Sequence, residues 1–128
     1  MRFLLDTHVL LWAVTADSTL GDQAQALLVD PQSQIFVSAA SIWEVAIKHR
    51  KNPALMPVSP EVLIDACSES GFLWLDVSVY HARGTGRLPP LHNDPFDRLL
   101  IAQAIHEPMR LLSRDRQLAA YTELVQLV

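Results

Sequence analysis

Acidic residues stand at four well-separated points of the chain, each beside an apolar run: Asp6 in LLDTHVLLW, Glu44 in SIWEVAIK, Asp97 in NDPFDRLL and Asp115 in SRDRQLAAY. Carboxylate oxygens are hard donors that suit Mg²⁺ or Mn²⁺. A lone carboxylate among apolar neighbours is costly unless it is capped, paired or bound to a cation. Several brought together repel one another at neutral pH, and a divalent cation relieves that repulsion. The same residues also have a plainer reading as helix starts, because aspartate is a preferred N-cap and acidic groups favour the first helical turn. Ser41 to Glu44 has the spacing of a capping box, and Asp94-Pro95 reads as an N-cap followed by proline at the first helical position. Spacing alone divides Asp6 and Asp115 evenly between the two readings. It favours capping for Glu44 and Asp94, and leaves Asp97 at a third helical position where a dipole role suffices.

The elements that would position these residues can be read from the apolar pattern. Short apolar runs at 3–5, 35–37, 72–75, 109–112 and 124–128 are strand candidates. Between them lie helical segments around 9–13, 22–29, 38–47, 61–70, 77–83 and 96–106, with a short helix after Asp115. The proline-rich stretch 52–60 and the glycine- and proline-rich stretch 84–93 read as loops. Strands alternating with helices predict an α/β/α sandwich around a mainly parallel sheet of four or five strands. In such a sheet, sites form at the carboxyl edge where the strand order reverses. Asp6, Glu44, Asp97 and Asp115 would share that edge.

At 128 residues the chain is expected to be one domain, 1–128, with a substantial core. Half of its residues are hydrophobic and 19% are charged, as in ordinary globular proteins. No apolar stretch approaches the ~20 residues of a membrane span. Asp6 and His8 interrupt the N-terminal apolar run, so it does not read as a signal peptide, and a cytoplasmic location is the expectation. The single cysteine, Cys67, excludes an internal disulfide framework and a multi-cysteine zinc site. A formal charge of −4 argues against nucleic-acid binding through a broad basic surface. It leaves room for an enzyme that meets phosphates through cations held by carboxylates.

The segments LLDTHVLLWAV, SAASIWEVAIK, HNDPFDRLLIAQA and LLSRDRQLAAY, in this order, resemble the PIN-domain ribonucleases, in particular the VapC-like toxins of type II toxin–antitoxin pairs. The resemblance implies Mg²⁺- or Mn²⁺-dependent endonucleolytic cleavage of RNA. It implies Asp6, Glu44, Asp97 and Asp115 as catalytic metal ligands, with Asp115 at the family's least uniform position. Thr7 and Ser113 match small hydroxyl positions that order the site, and Asp94 supports it as the cap that fixes Asp97. His8, Arg98 and Arg114 are candidate substrate contacts, although for both arginines pairing with carboxylates is the favoured reading. The implied partners are an RNA substrate, a cognate antitoxin protein and a second copy of the chain in a homodimer, with no membrane. The alternative is a catalytically silent PIN-like protein-interaction module.

Other enzyme and signalling classes fit less well. A DxDxT phosphotransferase would need an aspartate where His8 stands, a receiver module would need a late lysine, and no glycine-rich phosphate loop follows the first strand. Trp12, Trp43 and Trp74 read as core or interface residues. His49, His81 and His106 read as surface residues, His92 as solvent-exposed in its loop, and Cys67 as buried and inert.

Overall fold

The computed structural model describes residues Met1–Val128. The apolar runs form five strands: β1 (Arg2–Leu5), β2 (Gln34–Ser38), β3 (Leu73–Leu75), β4 (Arg110–Ser113) and β5 (Val125–Leu127). All neighbouring pairs are parallel, in the order β3-β2-β1-β4-β5. Seven α-helices connect them: α1 (Thr7–Val14), α2 (Gly21–Val29), α3 (Ala39–Lys51), α4 (Pro60–Glu69), α5 (Val79–Thr85), α6 (Pro95–His106) and α7 (Arg116–Ala119). A 3₁₀ turn at Ser18–Leu20, which has no marked apolar period, was not legible in the sequence.

Alternation along the strands makes this a three-layer molecule. Phe3 and Leu5 of β1, with Ile35, Val37 and Leu112, face Val9 and Leu10 of α1, Ala24 of α2, Val45 of α3 and Leu63 and Cys67 of α4. On the opposite face Leu4, Leu111 and Val125 meet Leu100, Ile101 and Ala104 of α6 and Leu118 of α7. Each fully buried leucine here stabilises the fold by roughly 1.5–3 kcal/mol. The expected α/β/α architecture is therefore present, with the central strands covered on both faces and the edge strand β3 partly exposed. No helix is long and apolar enough to cross a membrane.

Helix starts follow the local chemistry. Asp6 caps α1 by accepting the Val9 N–H, Ser59 caps α4 ahead of Pro60, and Asp94 caps α6 ahead of Pro95. Gly71, at φ +75°, lets the chain leave α4 and enter β3. Gly84 lets α5 lie close on α6, since a Cβ there would stand 3.3 Å from the Ala102 Cβ.

Three surface assignments made from sequence need correction. His81 is buried, and its ring completes a capping box at the start of α5: Nδ1 accepts the Ser78 N–H while Nε2 lies 2.6 Å from Glu107 Oε2. Its burial comes from the packing of α5 on α6, which the pattern of α5 alone does not encode. His92 is half-buried and bonded. His49 is half-buried beside the Met56 carbonyl. Of the three tryptophans, Trp12 packs against the core, whereas Trp43 and Trp74 are 59% and 43% exposed.

Candidate active site

The chain passes from β1 outward to β2 and β3, then returns across β1 to β4 on its other side. The reversal therefore lies between the central neighbours β1 and β4, where a crevice opens at their carboxyl ends. The Asp6 N–H donates to the Leu112 carbonyl at 3.1 Å, tying the end of β1 to the end of β4. Asp6 thus stands beside Ser113, and Asp115 follows two residues later. Glu44 arrives from α3, which leaves the end of β2, and Asp97 from the first turn of α6.

Asp6 is buried, and its Oδ1 accepts the Val9 N–H at 2.9 Å. Loss of solvation raises its carboxyl above the ordinary value, against the lowering effect of the Ser113 hydroxyl, the Val9 N–H and His8; the negative charge of Glu44 adds to the rise. Capping and membership of the acidic cluster are therefore both true of Asp6.

Glu44 is not a capping residue. Ser38, not Ser41, starts α3 by accepting the Ala40 N–H, so Glu44 lies beyond the first turn. It is buried all the same, and the Thr7 hydroxyl donates to its Oε1 at 2.7 Å. Lys48, one turn further along α3, meets its Oε2 at 2.5 Å. Ser41 stands 3.1 Å from the Thr7 hydroxyl and completes this buried polar group. Lys48 is held more firmly protonated, first by its bond to Glu44 and also by the charges of Asp94 and Asp97.

Asp97 has the most strained electrostatics. Asp94 Oδ1 accepts the N–H groups of Phe96 and Asp97 at 2.8 and 3.3 Å, so Asp94 is the cap that holds Asp97 in the first turn. The Asp97 carboxylate itself accepts no hydrogen bond from the chain, and His92 Nε2 stands 3.7 Å from its Oδ2. Desolvation, then the charges of Asp94, Asp6 and Glu44, push its pKa up to about 7. Charges drawn from β1, α3 and α6 therefore act on one carboxylate.

Asp115 caps α7 through the Gln117 N–H, and its other oxygen lies 3.2 Å from His92 Nε2. Asp6, His8, Trp12, Arg114 and Asp115 line an open groove of about 330 Å³. All four acidic positions thus share the carboxyl edge, Asp6, Glu44 and Asp97 as one coupled group and Asp115 on its flank.

The arginines differ from expectation, since neither forms an ion pair with an aspartate or glutamate side chain. Arg98 donates to the carbonyls of Thr85, Leu88 and Pro89 and to the Tyr121 hydroxyl, strapping the loop that precedes α6. Arg114 donates to the carbonyls of Val128 and Thr19 and lies over the Trp12 ring, with its head at the groove. Lys48 was readable at i+4 from Glu44 on a helix. Tyr121 carried no such signal, and the bond from His92 to Asp115 spans 23 residues, so tertiary folding alone makes both contacts.

The donor set fits a hard divalent cation. It is rich in carboxylate oxygens, and Asp97 combines partial burial, no hydrogen-bond donor and three pressing negative charges. Lys48 offsets only Glu44 directly.

The PIN domain family model matches residues 3–124. Among solved structures the chain is similar to VapBC2 from Rickettsia felis bound to a DNA fragment from its promoter, with 17% identity, a TM-score of 0.73, and coverage of 100% of this chain and 98% of that one. It is similar to DNA-bound VapBC from Salmonella typhimurium, with 13% identity, a TM-score of 0.69, and coverage of 100% and 97%. A toxin–antitoxin complex from Klebsiella pneumoniae aligns at 20% identity and a TM-score of 0.63, covering 98% of this chain and 94% of that one. At these identities the likeness is one of fold. No curated protein sequence matches the chain.

Proposed function

Because the chain belongs to the PIN domain family, we propose that it is a single-domain, Mg²⁺- or Mn²⁺-dependent endoribonuclease that acts as the toxin of a toxin–antitoxin pair. The observation that carries this reading is the gathering of buried Asp6 and Glu44 with half-buried Asp97 at the carboxyl edge, where burial and the charges of Asp94, Asp6 and Glu44 push Asp97 up to about 7. The fold likeness to VapBC and toxin–antitoxin structures supports the toxin assignment.

Asp6, Glu44 and Asp97 would hold the cation, with Asp115 on the flank. When bound, the ion would polarise the scissile phosphate and lower the pKa of a water. Thr7 fixes the Glu44 carboxylate by its hydroxyl, and Lys48 balances the charge of Glu44 on the side away from Thr7. Ser113 favours the ionised form of Asp6 and accepts the Asp115 N–H. His8 and Arg114 border the groove and would face the phosphates of a single RNA strand. The partners on this reading are RNA, a small antitoxin covering the acidic edge and a second copy of the chain, in the cytoplasm.

Purified protein should cleave RNA with Mg²⁺ or Mn²⁺ and stop in chelator, and Asp6→Asn should fold yet lose activity by at least about a hundredfold. Full activity in chelator, or unchanged turnover in Asp6→Asn, would overturn the mechanism. Calorimetry finding no affinity for either cation would favour a protein-interaction module instead.

A further inference from the structure

The ring of His92 links the start of α6 to Asp115, 23 residues away in sequence. Its Nδ1 accepts the backbone N–H of Asp94, the α6 cap, at 3.0 Å. An imidazole nitrogen facing an N–H must offer its lone pair, so the proton of the neutral ring sits on Nε2. Nε2 lies 3.2 Å from Asp115 Oδ2 and 3.7 Å from Asp97 Oδ2. The backbone is anchored as well: the His92 N–H donates to the Tyr121 hydroxyl at 2.7 Å, and Arg98 holds that hydroxyl and the carbonyls of the loop.

His92, Asp97 and Asp115 together offer three ligand atoms within 4.8 Å of one another. The tautomer argues against a nitrogen ligand there, since a metal-bound histidine donates its other N–H and here that nitrogen faces the Asp94 N–H. The cluster of His81, His106 and Glu107 fails for the same reason, because His81 Nδ1 accepts the Ser78 N–H.

We propose that His92 is a positioning residue of the acidic site: with its tautomer set by Asp94, it donates Nε2–H to Asp115 and draws that carboxylate toward Asp97. Apart from this bond Asp115 is fixed by the N–H of Gln117 on its other oxygen, and the residue is half-buried. His92 thereby joins the one acidic residue of the flank to the coupled group. The proposal rests on the cation-site reading given above.

Three forms of the full chain test it: wild type, His92→Phe, which keeps a ring without a donor, and His92→Gln, whose amide N–H reaches a similar distance. Long-range ¹⁵N NMR of the cation-free wild type should find the proton on Nε2. The carboxyl ¹³C resonance of Asp115 should move in His92→Phe and return toward its wild-type position in His92→Gln. Mn²⁺ affinity by calorimetry should fall roughly tenfold in His92→Phe and recover in part in His92→Gln. A proton on Nδ1, or an Asp115 resonance indifferent to both substitutions, overturns the proposal. So does unchanged Mn²⁺ affinity in His92→Phe. If the wild type binds no Mn²⁺, the cation-site reading fails by itself, and the tautomer and the Asp115 resonance still decide whether His92 positions Asp115.

Discussion

Replacing Asp97 with asparagine keeps the shape of the side chain and removes its charge, so it isolates what that charge costs the folded protein. The carboxyl is raised from 3.8 to about 7, a difference of about 4 kcal/mol between its two protonation states. The side chain keeps 21% of its surface exposed, and solvent screening reduces the expected effect to roughly 2 kcal/mol. Between pH 3.8 and about 7 the unfolded chain has released this proton while the folded chain retains it. Wild-type stability therefore falls as pH rises through that window and levels off above it. Asparagine has no proton to release. Urea or thermal unfolding in chelator should find Asp97→Asn more stable than wild type at pH 8 by roughly 2 kcal/mol, on the order of 8 °C in Tm. At pH 4 the two should nearly coincide. Adding Mg²⁺ at pH 8 should close or reverse the gap, since wild type gains about 2.7 kcal/mol at a hundred times Kd and the variant gains little. No stabilisation at pH 8, or equal stabilisation at pH 4 and pH 8, would refute the charge argument and leave only a change of shape.

Asp94→Asn should keep the α6 cap but lower the Asp97 pKa, read by carboxyl NMR, because the Asp94 charge is the largest of those pressing on Asp97. Thr7→Val leaves buried Glu44 Oε1 without its hydroxyl donor and should destabilise the protein by about 1–3 kcal/mol in urea unfolding. Arg98→Ala removes the donors that strap the carbonyls of Thr85, Leu88 and Pro89, and amide hydrogen exchange should accelerate across residues 85–94 without global unfolding. Burial pushes the Cys67 thiol up to about 11, so a thiol reagent at pH 8 should label it only after unfolding.

Much of the framework was legible because it depends on local chemistry. The apolar runs that became β1, β2, β4 and β5 lie in a sheet covered on both faces, where continuous hydrophobicity marks a strand. Asp94-Pro95 announced the start of α6, since capping and the fixed φ of proline act within a few residues. At Asp6 capping and membership of the acidic group do not exclude each other: the same carboxylate caps α1 and feels the charge of Glu44. At Glu44 the capping-box spacing misled, because β2 runs through to Ser38, which caps α3, and α3 begins two residues before Ser41.

The sequence by itself marked the five strands, most of the helical segments and the start of α6, and it named four acidic residues for a carboxyl edge while leaving open whether they cap helices. Only the tertiary structure decided how those charges are balanced. Lys48 falls on Glu44, the Thr7 hydroxyl crosses from α1 to the same carboxylate, and His92 is held between Asp94 and Asp115. It likewise turned Arg98 from a presumed charge partner into the strap of a loop. The physical reason is range: caps, turns and apolar periods act over a few residues, whereas a buried carboxylate is set by whichever donors and charges the packed sheet and helices bring within a few ångströms of it.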